Sequence, residues 1–103
     1  MLPYELTPDA EADLEETAEY TLREWGAAPQ ELYAERLEAE FHRISDGTAL
    51  SRRFSEQYPQ VYVTRCEHHY IFYLHPEGTK PRIIAVLHER MDRVARIRRR
   101  LSS

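Results

Sequence analysis

One cysteine and two histidines lie close together in the second half of the chain, at Cys66, His68 and His69. Thiol and imidazole groups at this spacing suggest either thiol catalysis or a zinc site. A Cys-x-His-His segment, however, places its ligands on alternating sides of a strand end, and no matched second pair follows at zinc-finger spacing. A four-ligand site would also need His75 and His88. We therefore predict no metal and no cofactor, with the histidines at the surface or half-buried.

Carboxylate pairs recur at intervals of four residues in the first helical segment, at Glu11, Glu15 and Glu19. Residues four apart share one face of a helix, where two carboxyl groups could act as general acid and base. Charged runs on helices are usually solvated, however, and the three glycines are isolated, so there is no phosphate-binding loop. The sequence predicts no catalytic residue, and we do not expect an enzyme.

Charge is divided unevenly along the chain. Residues 1–47 carry 13 acidic side chains and three arginines, whereas residues 48–103 carry five acidic side chains, ten arginines and one lysine. Arginine makes forked contacts with carboxylates and phosphates, so this basic half can bind an acidic protein surface or a nucleic acid. A solvated basic helix is the alternative. The candidate target- or partner-binding residues are Arg65, His88, Arg90, Arg93, Arg96, Arg99 and Arg100.

Two amphipathic helices are predicted in the acidic half. Thr7 and Pro8 suit the start of the first helix, and Gly26 suits its end. A short link, 27–29, leads to a second helix that ends at Gly47, so the two form an antiparallel hairpin. Each helix has one apolar stripe: Ala10, Leu14, Ala18, Leu22 and Trp25 in the first, and Tyr33, Leu37, Phe41 and Ile44 in the second.

Residues that favour β-structure dominate the second half of the chain. The last strand candidate is apolar throughout, which is typical of a central strand buried on both faces. Residues 48–59 have no clear period and are interpreted as an ordered connection. The predicted strands are 4–7, 61–66, 70–74 and 83–87, and a short helix is predicted over 91–101.

The predicted element order is β-α-α-β-β-β-α, which places the protein in the α+β class. We expect an N-terminal strand and a two-helix antiparallel hairpin packed on a mostly antiparallel four-stranded sheet, with a short C-terminal helix. The first strand, separated from the others by the hairpin, is expected at an edge or beside the last strand.

Composition narrows the class of protein. A chain of 103 residues with 42% hydrophobic residues is expected to form a single domain over 1–103. Its mean hydropathy is -0.69 and it lacks a long apolar run, so we expect no association with membranes. The single cysteine and the absence of a signal-like start favour a cytoplasmic location.

Several ordered segments together suggest a family. They are YELTPDAEADL at 4–14, EY at 19–20, WG at 25–26, HYIFY at 69–73 and IAVLHERMD at 84–92. On these segments the whole chain resembles the ParE branch of the RelE/ParE toxin superfamily. The element order predicted from the residues also agrees with that family's fold.

The resemblance implies a toxin of a type II toxin–antitoxin module, a class linked to plasmid stabilisation. ParE-like toxins are held inactive by an antitoxin, typically ParD-like, whose C-terminal segment wraps the toxin. A hetero-oligomer with such an antitoxin is therefore expected. ParE-like toxins are associated with inhibition of DNA gyrase, which blocks replication, whereas RelE-like relatives cut mRNA on the ribosome.

The residues on the predicted sheet face bear on whether the chain is instead a ribonuclease like RelE. Cleavage by RelE-like toxins uses basic residues on the sheet face, which neutralise phosphate charge and assist proton transfer. Aligned on the HYIFY segment, those positions read Tyr62, Thr64 and Ile71, and no tyrosine follows His88. This departs from the nuclease pattern and favours a toxin that acts by binding, although Arg65 and His88 keep the ribonuclease alternative open.

A stand-alone nucleic-acid-binding protein is a third possibility. It would require tight, salt-sensitive binding to DNA by the chain alone. The net charge of -10 over residues 1–47 repels phosphate wherever that half faces a duplex. We therefore do not expect the chain to bind DNA directly without a partner.

Overall fold

The computed structural model describes residues 1–102 and confirms the predicted element order with one additional strand. Over this range, the elements are β1 (Glu5–Leu6), α1 (Pro8–Trp25), α2 (Ala27–Asp46), β2 (Arg52–Ser55), β3 (Tyr58–Cys66), β4 (His69–Leu74), β5 (Arg82–His88) and α3 (Arg93–Ser102). No helix within this range is long and apolar enough to cross a membrane.

The strands form one sheet in the order β1-β5-β4-β3-β2. β1 is parallel to β5, and all other pairs are antiparallel. β1 is thus both an edge strand and the neighbour of the last strand, as predicted, but the sheet has five strands where four were expected. The fifth, β2, lies in the predicted connection: it has only four residues, and both Arg52 and Arg53 are exposed. Pairing with β3, not an alternating pattern, makes this segment a strand.

Local signals set the bounds of the two long helices. The Thr7 hydroxyl accepts a hydrogen bond from the Ala10 N–H at 3.2 Å, and Pro8 occupies the first turn of α1. Gly26, with φ of 93°, ends α1 and directly precedes α2. The predicted three-residue link is therefore one residue long, because Pro29 fits within the first turn of α2, where its missing N–H leaves no helical hydrogen bond unmade.

The sheet has a different cover on each face. The α1–α2 hairpin packs on one face through Ala10, Leu37, Phe41 and Ile44. On the other face, α3 contributes the fully buried Ile97, with Met91 and Leu101 beside it. As predicted, β5 is buried on both faces, since Ile83 and Val86 belong to one apolar cluster and Ile84, Ala85 and Leu87 to the other.

The predicted apolar stripe of α1 is buried only over its first part. Ala10 and Leu14 reach the core beneath the hairpin, whereas Leu22 and Trp25 are 53% and 69% exposed. Gly26 ends α1 directly after Trp25 and none of the last residues of α1 joins the sheet-facing core, so the sheet covers the predicted stripe only in part. The far end of the hairpin therefore presents large apolar side chains to solvent.

Candidate target-binding surface

The last helix holds most of the candidate residues, and two contacts define its start and its inner side. The Asp92 carboxylate accepts a hydrogen bond from the Ala95 N–H at 3.2 Å and so caps the helix. Ile97 is fully buried against the sheet. With Ile97 and the partly buried Leu101 packed on the sheet, most of the arginines lie on the other sides of α3.

Arg65 and Arg93 belong to a polar cluster around Tyr70. The guanidinium of Arg93 lies 4.0 Å from the centre of the Tyr70 ring, and that of Arg65 lies 5.4 Å from it. Arg65 also pairs with the Glu89 carboxylate at 2.5 Å, and His68 contacts the same carboxylate at 3.1 Å. These two arginines are already engaged within the fold.

Arg100 does not lie on the predicted binding surface, because its side chain forms an internal ion pair. Its two terminal nitrogens contact the two carboxylate oxygens of Asp13 in α1 at 2.7 Å and 2.8 Å. The Arg100 side chain is only 17% exposed. Together these contacts raise the pKa of the Arg100 guanidinium, mainly through the hydrogen bonds with Asp13.

The remaining arginines form what we call the free-arginine surface, defined as Arg90, Arg96, Arg98 and Arg99. Arg90, Arg98 and Arg99 are exposed, and Arg96 is half-buried. Within residues 1–102, no carboxylate lies within 4.0 Å of these four guanidinium groups. Arg90, Arg96 and Arg99 are thus placed where a partner could meet them, and Arg98, which was not among the candidates, lies with them.

His88 lies at the end of β5, where its Nδ1 accepts the Arg90 backbone N–H at 3.1 Å. Its ring meets that of His69 edge-on at 5.2 Å. His69 is buried, which corrects the expectation that every histidine lies at the surface or half-buried. Tyr33 and Thr17 explain this, because their hydroxyls contact its two ring nitrogens at 2.5 Å and 3.3 Å. Burial lowers the pKa of His69 to about 4, so this ring is neutral at physiological pH.

The thiol and histidines considered first do not assemble into a reactive site. Burial raises the pKa of the Cys66 thiol to about 11, so it is protonated near neutral pH and a poor nucleophile. No group of three histidine, cysteine, aspartate or glutamate side chains is arranged to hold a metal ion in the part of the chain that the structure describes.

The three positions compared with the nuclease pattern lie beneath the hairpin. Ile71 is fully buried there, and the Thr64 hydroxyl donates to the buried Glu40 carboxylate at 3.2 Å. Tyr62 stacks on Tyr73 with ring centres 5.7 Å apart. None of these three side chains can supply a cation to a phosphate.

Two grooves border the hairpin. One, of about 360 Å³, lies between α1 and α2 and is mainly apolar, with Leu14, Tyr33 and Phe41 among its walls. The other, of about 600 Å³, runs between the second half of α1 and the segment after β5. Its walls combine aromatic and basic side chains, including Tyr20, Trp25, His68, His88, Arg90 and Met91.

Comparison with known proteins decides the family. The family model described as "ParE toxin of type II toxin-antitoxin system, parDE" matches residues 4–93. The chain belongs to the ParE toxin family. Toxin ParE of Escherichia coli is 44% identical over 101 residues, which is 98% of each chain. Toxin ParE1 of Mycobacterium tuberculosis is 33% identical over 90 residues, which is 86% of this chain and 91% of that one.

A solved structure shares the ParE fold. The structure described as "Chromosomal ParDE TA system from P. aeruginosa" superposes with a TM-score of 0.68 at 17% identity, covering 85% of this chain and 96% of that chain. The family match ends at Arg93, the first residue of α3. Arg96, Arg98 and Arg99 therefore lie beyond the part of the ParE chain that the family model describes.

Proposed function

We propose that this ParE toxin inhibits DNA gyrase by binding and performs no bond-breaking chemistry of its own. The observation that carries the proposal is the division of the arginines into those engaged within the fold and the four of the free-arginine surface. Guanidinium groups without carboxylate partners favour association with an acidic protein surface or with the DNA that gyrase holds.

The ribonuclease alternative has less support from the contacts. Arg65 is paired with Glu89 and lies beside Tyr70, so its charge is partly neutralised. The Nδ1 atom of His88 accepts a backbone hydrogen bond, which leaves only Nε2 for proton transfer. Ile71 and Thr64, buried beneath the hairpin, cannot stabilise a pentacovalent phosphate.

Supercoiling of relaxed plasmid by purified gyrase tests this proposal. The double variant Arg96→Ala/Arg99→Ala removes two charges from the free-arginine surface, and we expect a loss of inhibition of about tenfold or more, as for interface arginines generally. Arg52→Ala/Arg53→Ala is the matched control, because it removes two exposed charges from β2. Inhibition that survives in Arg96→Ala/Arg99→Ala, or is lost equally in the control, would contradict the assignment of this surface.

We also propose that a ParD-like antitoxin neutralises the toxin by covering the hairpin and the basic side together. The exposed side chains of Leu22, Trp25 and Leu32 at the far end of the hairpin supply an apolar anchor point. An acidic segment of the antitoxin would complement the free-arginine surface, and the groove between α1 and the segment after β5 joins these two regions.

Binding of the antitoxin can be measured for variants of each region. Trp25→Ala is expected to weaken binding by about tenfold or more, since aromatic anchors dominate interfaces. Leu50→Ala is the matched control, because Leu50 is 95% exposed and lies in the α2–β2 connection. Raised salt should slow association if charge contributes. Association that does not change with salt would remove the electrostatic part of this proposal.

A further inference from the structure

The sheet has an open edge where β1 ends. β1 pairs with β5 only at Arg82 and Ile83, because Pro8 then starts α1. The pairing of β5 with β4 skips Ile84, which is therefore a bulge. A bulge changes which backbone groups face each side of a strand. Beyond β1, the Ile84 carbonyl and the Val86 N–H point to the open edge, where each needs a hydrogen-bond partner.

Two side chains from opposite faces of the sheet supply these partners. The Asp13 carboxylate of α1 accepts the Val86 N–H at 2.9 Å, and Arg100 of α3 donates to the Ile84 carbonyl at 2.9 Å. Asp13 and Arg100 also hold each other through two parallel contacts, at 2.7 Å and 2.8 Å. Asp13 is 8% exposed, so this carboxylate is almost entirely removed from solvent.

This pair is one of the contacts that hold α3 in place. A helix of ten residues is too short to be stable alone in water, so its placement follows from tertiary contacts. Ile97 and the partly buried Leu101 pack α3 on the sheet, where apolar contact is non-directional, and Arg93 lies against the Tyr70 ring at the first turn of the helix. The forked contact of Arg100 with Asp13 adds a directional restraint at the last turn of α3.

We propose that Asp13 and Arg100 form a latch that orients α3 and so presents the free-arginine surface. Arg100 is then a positioning residue, in contrast to the target contact expected from the sequence. Arg96 lies one turn before Arg100, and Arg99 is its neighbour. Each residue turns the helix by about 100°, so a small rotation of α3 would redirect both guanidinium groups. The link to gyrase rests on the function proposed above, whereas the latch itself does not.

The test combines hydrogen exchange with gyrase inhibition in the full-length chain. Asp13→Asn removes the negative charge of the pair but keeps an oxygen for the Val86 N–H. Arg100→Gln removes the positive charge of the pair. We expect the α3 amides of each variant to exchange about tenfold faster or more, with the central strands unchanged. We expect each variant to lose gyrase inhibition to a similar degree, and the double variant to lose no more than either. Glu11→Gln is the matched control, since Glu11 is an exposed acid of the same helix, whereas Asp9 lies 4.0 Å from Arg100 and would not be neutral.

Three outcomes would overturn the latch. Unchanged exchange of the α3 amides in Asp13→Asn would show that the pair does not hold the helix. Loss of inhibition in Arg100→Gln but not in Asp13→Asn would make Arg100 a direct target contact. Additive losses in the double variant would mean two independent roles. If the unaltered toxin leaves gyrase active, the proposed function fails, and faster α3 exchange in Asp13→Asn still supports the latch.

Discussion

The two faces of the sheet carry covers that differ in size and charge. On one face lie α1 and α2, of 18 and 20 residues, whose sequence is strongly acidic and whose inner side fills a large apolar core. On the other lies α3, of ten residues, basic along most of its surface and anchored by one fully buried side chain. The difference suits the hairpin to stabilising the fold and α3 to carrying the proposed binding surface.

The two buried carboxylates of the hairpin, Glu40 and Asp13, contact different parts of the structure. Glu40 in α2 is satisfied locally, by Arg43 at 2.6 Å and by the Thr64 hydroxyl beneath it. Asp13 in α1 instead connects the hairpin with α3 through Arg100. A charged group in one cover thus pairs with a charged group in the other, although the two covers lie on opposite faces of the sheet.

The largest expected effect tests the stabilising role of the hairpin. Phe41→Ala removes a buried ring that contacts Tyr4, and we expect the free energy of unfolding to fall by about 3–5 kcal/mol. Denaturant unfolding measures this. Leu50→Ala, at an exposed position, is the control and should change it by less than about 0.5 kcal/mol. Similar losses in both variants would contradict the importance assigned to the hairpin core.

An intermediate loss of stability is expected at acid pH, because His69 is buried beneath the hairpin. Its pKa is about 4 in the folded protein and about 6.5 when unfolded, so the unfolded chain binds the extra proton first. Stability should therefore fall as pH decreases from about 6.5 to about 4, by something of the order of 2 kcal/mol.

The matched comparison for this pH effect uses two histidines. His69→Gln should lose most of that dependence, measured by denaturant unfolding at several pH values, whereas exposed His75→Gln should retain it. An unchanged profile in His69→Gln would show that another group is responsible.

The smallest change in the free energy of unfolding is expected when an ion pair on the basic side of the sheet is broken. Glu89→Gln breaks the pair with Arg65, whose side chain is about half exposed, so we expect only a small fall in the free energy of unfolding, well below that of Phe41→Ala. The difference should shrink further in high salt, because ions screen exposed charges. A loss comparable to that of Phe41→Ala would mean that the basic side also holds the fold together.

Helix boundaries were accessible from the sequence because their causes are local. Thr7, Pro8, Gly26 and Gly47 act within a turn of the residues they cap, so the bounds of α1 and the end of α2 follow from neighbours in the chain, whereas α2 begins two residues before Pro29. The uniformly apolar run 83–87 within β5 likewise indicated a strand buried on both faces. Family membership was also recognisable from the ordered segments, and comparison with known proteins confirmed it.

The remaining features depend on distant contacts. β2 forms only because β3 pairs with it, and the pattern of its four residues carries no strand signal. Asp13 and Arg100 are separated by 87 residues, so nothing local distinguished Arg100 from the arginines beside it. The exposure of Trp25 follows from where the core of the hairpin ends, which periodicity within one helix cannot reveal.

The central claim is that this ParE toxin disables gyrase by occupying it. The most direct measurement titrates the pure chain into two parallel assays, one of supercoiling by gyrase and one of mRNA integrity on translating ribosomes. We expect supercoiling to stop while the mRNA remains intact. Cleaved mRNA with active gyrase, with cleavage abolished by Arg65→Ala or His88→Ala, would contradict the claim.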